Sequence, residues 1–161
     1  MTQATTGRAI GVIGLGIMGG AMARNLVKAG FSVIGFDIAA EARERARAGG
    51  VAIADSAEAL VATAGDIITS LAVTRAVIDT AELIARSTSG PHTVIEASTL
   101  ALDDKLAVGA MLGAAGHTPL DCPMLGTGPH AEAGDLVVYA SGDTRALASL
   151  APVFAAIGRK T

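Results

Sequence analysis

The chain has 161 residues, 51% of them hydrophobic and 17% charged, and a net charge of −3. This length suits one domain with a sizeable core, and the mildly acidic balance excludes the basic footprint of a nucleic-acid binder. The apolar surplus is mostly alanine, glycine and valine, with one tyrosine and no tryptophan, which favours helices packed closely on a sheet over aromatic stacking surfaces.

Met1 to Gly7 is polar and lacks the pattern of a signal peptide. No window holds ~18 uninterrupted apolar residues, so no membrane span is expected and the protein is expected in the cytoplasm. Ile10-Gly11-Val12-Ile13 belongs to a strand over 8–13 that runs into Gly14-Leu15-Gly16-Ile17-Met18-Gly19-Gly20, the opening of an alanine-rich helix over 17–29. A second strand, 32–36, leads to Asp37. In this order the three glycines have separate tasks: Gly14 makes the tight turn, Gly16 lets a pyrophosphate approach the backbone, and Gly19 lets helix and strand pack closely. The pyrophosphate would sit on the unpaired N–H groups at the helix start. Asp37, about twenty residues on, is placed to hydrogen-bond the adenosine ribose hydroxyls, and its charge would repel a 2′-phosphate. NAD is therefore the expected cofactor, and NADP is possible if Arg43 or Arg45 swings toward such a phosphate.

Further along, short apolar runs at 51–53, 66–70, 92–96, 118–121 and 135–140 alternate with helical segments at 39–48, 56–63, 74–87, 101–115 and 143–157. Strands separated by helices imply a mostly parallel sheet wrapped on both faces. This is the doubly wound, Rossmann-type α/β fold, with 1–161 as one dinucleotide-binding domain. Asp55-Ser56, Thr74, Ser98-Thr99 and Ser141 through Asp143 are candidate helix caps, and Gly30, Gly49-Gly50, Gly65, Gly90-Pro91 and Gly116 mark helix ends. Arg43, Arg45 and Arg47 alternate with Glu41 and Glu44, the pattern of a solvated helix face.

The stretch from Asp121 to His130 breaks the rhythm with two prolines and two glycines. An ordered turn with exposed backbone amides is expected there, either a plain connection or an anion-binding concavity. Cys122 is the only cysteine, which excludes an intrachain disulfide, and it is read as a small buried filler. His130 is read as a surface residue, while His92 and His117 stand at strand entrances; no spacing of His, Cys and carboxylates suggests a metal site.

The run Gly14-Leu15-Gly16-Ile17-Met18-Gly19-Gly20-Ala21-Met22-Ala23-Arg24-Asn25-Leu26 resembles the G-L-G-x-M-G-x-x-M-A-x-N-L signature of the β-hydroxyacid dehydrogenases, which include 3-hydroxyisobutyrate dehydrogenase. Glu96-Ala97-Ser98-Thr99-Leu100 is similar to the family's D-x-S-T-I, and Leu120-Asp121-Cys122-Pro123-Met124-Leu125-Gly126-Thr127 to its L-D-A-P-V-S-G-G. The likeness spans residues 8 to 160 and is to the N-terminal unit, of the 6-phosphogluconate dehydrogenase NAD-binding type. It implies hydride transfer between a nicotinamide cofactor and a small β-hydroxyacid or semialdehyde, in a full-length enzyme that is a homo-oligomer. By this resemblance Gly14, Gly16, Ile17, Met18 and Gly19 would meet the cofactor pyrophosphate. Leu71 and Ala72 would line the nicotinamide half, with Ala76 near the cofactor and Thr99 beside the nicotinamide ribose. The amides of Gly126 and Thr127 would hold the carboxylate of a small-molecule substrate.

Departures from the family pattern carry information too. Ala72 stands where the family usually has proline, Ala76 where it has asparagine, Leu125 where a serine helps bind substrate, and Thr127 and His130 where glycines are common. A leucine at 125 removes a hydroxyl donor and adds an apolar wall, which opens the alternative of an imine reductase built on the same plan. The family's catalytic lysine lies in a G-x-G-x-x-x-K-x-x-x-N motif at the start of a helical second domain, whereas this chain reaches Ile157-Gly158-Arg159-Lys160-Thr161 without such a motif. Lys160 is read as an exposed terminal lysine, so no catalytic residue is expected in this chain, which alone would bind cofactor without turnover. A free-standing NAD-binding regulatory module is the other alternative. With a helical domain missing, the 143–157 helix is expected to expose an apolar patch around Leu147, Leu150, Val153 and Phe154.

Overall fold

The computed structural model describes residues 8–161, so the signal-peptide reading of Met1–Gly7 lies outside the described residues. In chain order the elements are β1 (Ala9–Ile13), α1 (Ile17–Lys28), β2 (Val33–Phe36), α2 (Ala40–Ala48), β3 (Ala52–Ile53), α3 (Ala57–Thr63), β4 (Ala64–Thr69), α4 (Thr74–Ala85), β5 (Thr93–Glu96), α5 (Leu102–Ala114) and β6 (Thr118–Asp121). There follow β7 (Met124–Leu125), α6 (Gly128–Ala133), β8 (Leu136–Val138), β9 (Ser141–Gly142), α7 (Thr144–Ser149), α8 (Ala151–Ile157) and β10 (Gly158–Lys160).

Successive strand side chains point to opposite faces, yet Val12 and Ile13, Ile67 and Ile68, and Val94 and Ile95 are all buried. Only strands covered on both faces permit this. Val12, Ile68 and Ile95 join Met22 and Leu26 of α1 and Phe154 of α8 in one core. Ile13, Ile67 and Val94 join Leu60, Val77 and Leu112 of α3, α4 and α5 in the other. The main sheet runs β3-β2-β1-β4-β5-β6, all parallel, with β9 antiparallel at the edge. The order reverses between β1 and β4, and a doubly wound sheet opens its ligand crevice at the carboxyl ends of the strands at that point.

The last quarter departs from simple alternation. The strand expected at 135–140 is shortened to β8 and leaves the main sheet, pairing instead with β7 and β10. The helix expected over 143–157 is two helices meeting at Leu150, because Pro152 in the first turn of α8 has no N–H to bond backward and its ring opposes a continuous helix. Leu150, Val153 and Phe154 are buried in this chain's own core, which corrects the expected apolar patch. The turn expected at 121–130 contains β7 and the start of α6, with Thr127 as cap and Pro129 in the first turn, where no amide donor is needed. Ser56 and Asp143 do cap α3 and α7. Thr74 lies inside α4, Ser98-Thr99 fall short of α5, whose N-cap is Ala101, and Gly65 lies within β4. Among the described residues no helix is long and apolar enough to cross a membrane.

Candidate functional site

The loops that follow β1, β4 and β5 meet at the crevice, and the glycines decide how closely. Gly14 has φ +94°, and a Cβ there would stand 2.1 Å from the Ser70 carbonyl oxygen, so conformation and space both exclude a side chain. A Cβ on Gly19 would stand 1.9 Å from the Gly14 carbonyl oxygen, so the start of α1 presses directly on the turn. Gly16 differs: nothing lies within 4 Å of its Cβ position. It is also the N-cap of α1, offers no side-chain bond, and is followed by a first turn without acidic residues. That turn keeps the positive end of the helix dipole available to an anion.

These loops border a cavity of about 480 Å³. Gly16, Ile17, Met18 and Gly19 form one wall, and Ser70, Leu71 and Ala72 a second. Ala97, Ser98 and Thr99 form a third, with Met124 and Gly126 closing the ring. None of these residues carries an ionisable side chain, so an anion here meets amides, hydroxyls and a helix end. The cavity thus brings together Gly16, Ile17, Met18, Gly19, Leu71, Ala72, Thr99 and Gly126 from the sequence candidates. Gly14 supports it from beneath, while Ala76, half-buried on α4, and Thr127, the cap of α6, lie outside its walls. Leu125 is 59% exposed and the wall beside it is made by Met124 and Gly126, which corrects the expected apolar wall at 125. Ser70, Ala97, Ser98 and Met124 complete the lining; Ala97, Ser98 and Met124 stand inside the recognisable motifs, whereas Ser70 carries no local signal. Ser98 Oγ accepts from Leu71 N at 3.0 Å, across to the neighbouring loop, instead of capping α5.

Asp37 follows β2. Its Oδ2 accepts from Leu15 N at 2.7 Å and its Oδ1 from Ala39 N at 2.8 Å, so the carboxylate ties the glycine turn to the start of α2. A carboxylate has about four acceptor positions, which leaves capacity for a ribose hydroxyl. Arg43 is more than part of a solvated face: its Nη1 donates to the carbonyls of Asp37 and Ile38 at 2.6 and 3.1 Å.

The segment after β6 is set by α1. Asn25 Nδ2 donates to Ala131 O at 2.7 Å, and Arg24 pairs with Glu132, so the helix that opens at Gly16 also fixes α6. The Thr127 amide donates to His130 Nδ1 at 3.1 Å. That amide thus has an internal partner, and the segment's contribution to the cavity comes through Met124 and Gly126.

Behind the third wall lies a partly buried ion cluster that no local spacing announces. Glu96 at the end of β5 pairs with Lys105 of α5, whose ammonium also lies 2.7 Å from Asp121 Oδ1. Burial alone would lower the Lys105 pKa, but hydrogen bonds to Asp121 and Glu96 and their charges outweigh it and hold the pKa above the usual lysine value. Cys122 is fully buried, and burial pushes its thiol up to about 12, so it stays protonated and inert. Among the described residues no group of three or more His, Cys and carboxylates is placed to hold a metal.

The sequence pattern of the NAD binding domain of 6-phosphogluconate dehydrogenase matches residues 9–161. The chain belongs to this family. This NAD-binding domain is similar to the NAD-dependent L-serine dehydrogenase of Pseudomonas aeruginosa, 36% identical over a 154-residue alignment that covers 93% of this chain and 51% of that protein. Its fold matches Mycobacterium tuberculosis 3-hydroxyisobutyrate dehydrogenase with L-serine at a TM-score of 0.91 and 34% identity, over 95% of this chain and 53% of that one. A variant imine reductase from Myxococcus stipitatus, in complex with NAD+, shares the fold alone: TM-score 0.87, 15% identity, 97% of this chain and 54% of that one. The chain spans about half the length of the curated relatives it matches. The resemblance to β-hydroxyacid dehydrogenases drawn from Gly14–Leu26 therefore holds along the chain.

Proposed function

We propose that this NAD-binding domain holds NAD(H) for hydride transfer to or from a small hydroxyacid or semialdehyde carrying a carboxylate. The observation that supports the reading best is the shared cavity, where the open first turn of α1 stands across from Thr99 and Gly126. Bound there, the dinucleotide would accept the hydride in hydroxyacid oxidation and supply it in the reverse reduction. The α1 amides hold its pyrophosphate, Asp37 accepts from the adenosine ribose hydroxyls, Leu71, Ala72 and Thr99 border the nicotinamide half, and Gly126 offers an amide to the substrate carboxylate. Holding both partners turns a bimolecular transfer into a positioned step.

The Asp37 charge favours NAD over NADP, and Arg43 must leave the carbonyls it binds before it can reach a 2′-phosphate. The general acid/base required by alcohol oxidation is assigned to a lysine in a helical second domain. Exposed Ile17, Val73 and Leu125 are apolar surface for that domain, or for a second copy in a homo-oligomer, to cover. Cys122 as a free thiol suits a reducing compartment, and we assign the protein to the cytoplasm.

Calorimetric titration of the chain with NADH tests the site. Binding is expected, with no turnover, and Gly16→Val should abolish it by filling the space the pyrophosphate needs; undiminished binding by that variant refutes the site. The absence of ionisable side chains from the cavity walls also suits an imine substrate. Oxidation of hydroxyacids against reduction of cyclic imines, assayed on the full-length protein, separates the two classes.

A further inference from the structure

Glu96 is only 5% exposed, lies outside the cavity, and sends its bonds to the loops that form it. Its Oε1 accepts from Ser98 N at 2.8 Å. Ser98 Oγ in turn accepts from Leu71 N at 3.0 Å. On the other side Glu96 Oε2 pairs with Lys105, whose ammonium reaches Asp121 Oδ1 at 2.7 Å. Backbone bonds run in parallel, Ala97 N to Thr69 O and Cys122 N to Glu96 O, both at 2.9 Å. One chain of polar contacts therefore joins the carboxyl ends of β4, β5 and β6, with Glu96 at its centre.

On the cofactor reading above, we infer that Glu96, anchored by Lys105, is a positioning residue for the nicotinamide half of the site. It fixes the Ser98–Thr99 turn directly and the Leu71–Ala72 wall through the Ser98 hydroxyl. The charge matters, because an ionised acceptor holds an amide roughly twice as strongly as a neutral one. A charge this buried needs a paired opposite charge, and the Lys105 ammonium supplies it. The adenosine half hangs on different bonds: Asp37 to Leu15 N and Ala39 N, and the first turn of α1. Loss of Glu96 should thus be felt at one end of the dinucleotide and not at the other.

Titrating the chain with NADH and separately with ADP, which lacks the nicotinamide nucleoside, reads this split. Glu96→Ala is expected to weaken NADH by about tenfold while ADP affinity stays within about twofold of wild type. Glu96→Gln keeps a carbonyl able to accept from Ser98 N but loses the charge and the Lys105 pair, so its NADH affinity should fall between those of Glu96→Ala and wild type. If Lys105 left alone unfolds the chain, Glu96→Leu combined with Lys105→Met removes acceptor and both charges together, and the same split is expected. Equal weakening of both ligands, or unchanged NADH affinity in Glu96→Ala, overturns the inference and leaves the cofactor reading intact. A wild-type chain that binds neither ligand overturns both.

Discussion

The two ends of the parallel sheet are made by the same strands and treat their polar groups in opposite ways. At the amino ends of β5 and β6, His92 and His117 stack with ring centroids 5.3 Å apart and planes 14° apart. Every ring nitrogen has a partner: His117 Nδ1 takes the His92 amide, His117 Nε2 meets Ile84 O, and His92 meets Gly65 O and Ser89 Oγ, all at 3.0–3.1 Å. At the carboxyl ends, the first turn of α1 has no side-chain cap and borders a cavity of about 480 Å³. The side chains with the richest chemistry, two histidines and the thiol of Cys122, are thus structural. Residues without a side chain leave the space where chemistry fits.

The contrast breaks if the open end behaves as though it were closed, and the glycines give the largest effect. Gly19→Val drives a Cβ into the Gly14 carbonyl oxygen, and the expected loss, read from urea unfolding, is about 3 kcal/mol or more. Gly16→Ala meets nothing within 4 Å, so its stability should stay within about 0.5 kcal/mol of wild type, while NADH binding drops. Equal destabilisation by the two substitutions would make Gly16 a structural glycine and close the site on paper.

Which parts were legible in the sequence follows the same division. The glycine turn, the six parallel strands and Asp37 are written in local spacing, because turn chemistry and the burial of β-branched runs depend on near neighbours. What escaped depends on topology. Ser98 reads locally as a cap, and its partner Leu71 lies 27 residues upstream. Glu96, Lys105 and Asp121 form a cluster only because β5, α5 and β6 are adjacent in space. The Leu147–Phe154 run looks like one exposed amphipathic helix until Pro152 breaks it and turns Val153 and Phe154 inward.

A middle-sized effect sharpens the account of the open end. NADH should bind more tightly than NADPH by about tenfold, or 1.4 kcal/mol, because a 2′-phosphate would face the Asp37 carboxylate. Arg43→Ala should leave that ratio where it is, since the Arg43 guanidinium is engaged with the carbonyls of Asp37 and Ile38. Competitive fluorescence titration of both cofactors measures it; equal affinities in the wild-type chain would mean that the arginines of α2 outweigh Asp37.

The smallest effect belongs to the closed end and concerns protons. Burial, and then the neighbouring His92, hold the His117 pKa below its usual 6.5, only partly opposed by the bond to Ile84 O. The native state therefore binds fewer protons here than the unfolded chain. The stability contributed by the neutral ring is fully present above pH 6.5 and is lost as pH falls through the lower native value. Urea midpoints should be level above pH 6.5 and decline as pH falls from there through the native value. His117→Gln can still accept from His92 N and donate to Ile84 O but does not titrate, so the decline should flatten. NADH affinity, set at the opposite end of the sheet, should not respond to this substitution at any pH. A decline as steep in His117→Gln as in wild type would move the acid sensitivity to another group, and a change in NADH affinity would show that the two ends are coupled.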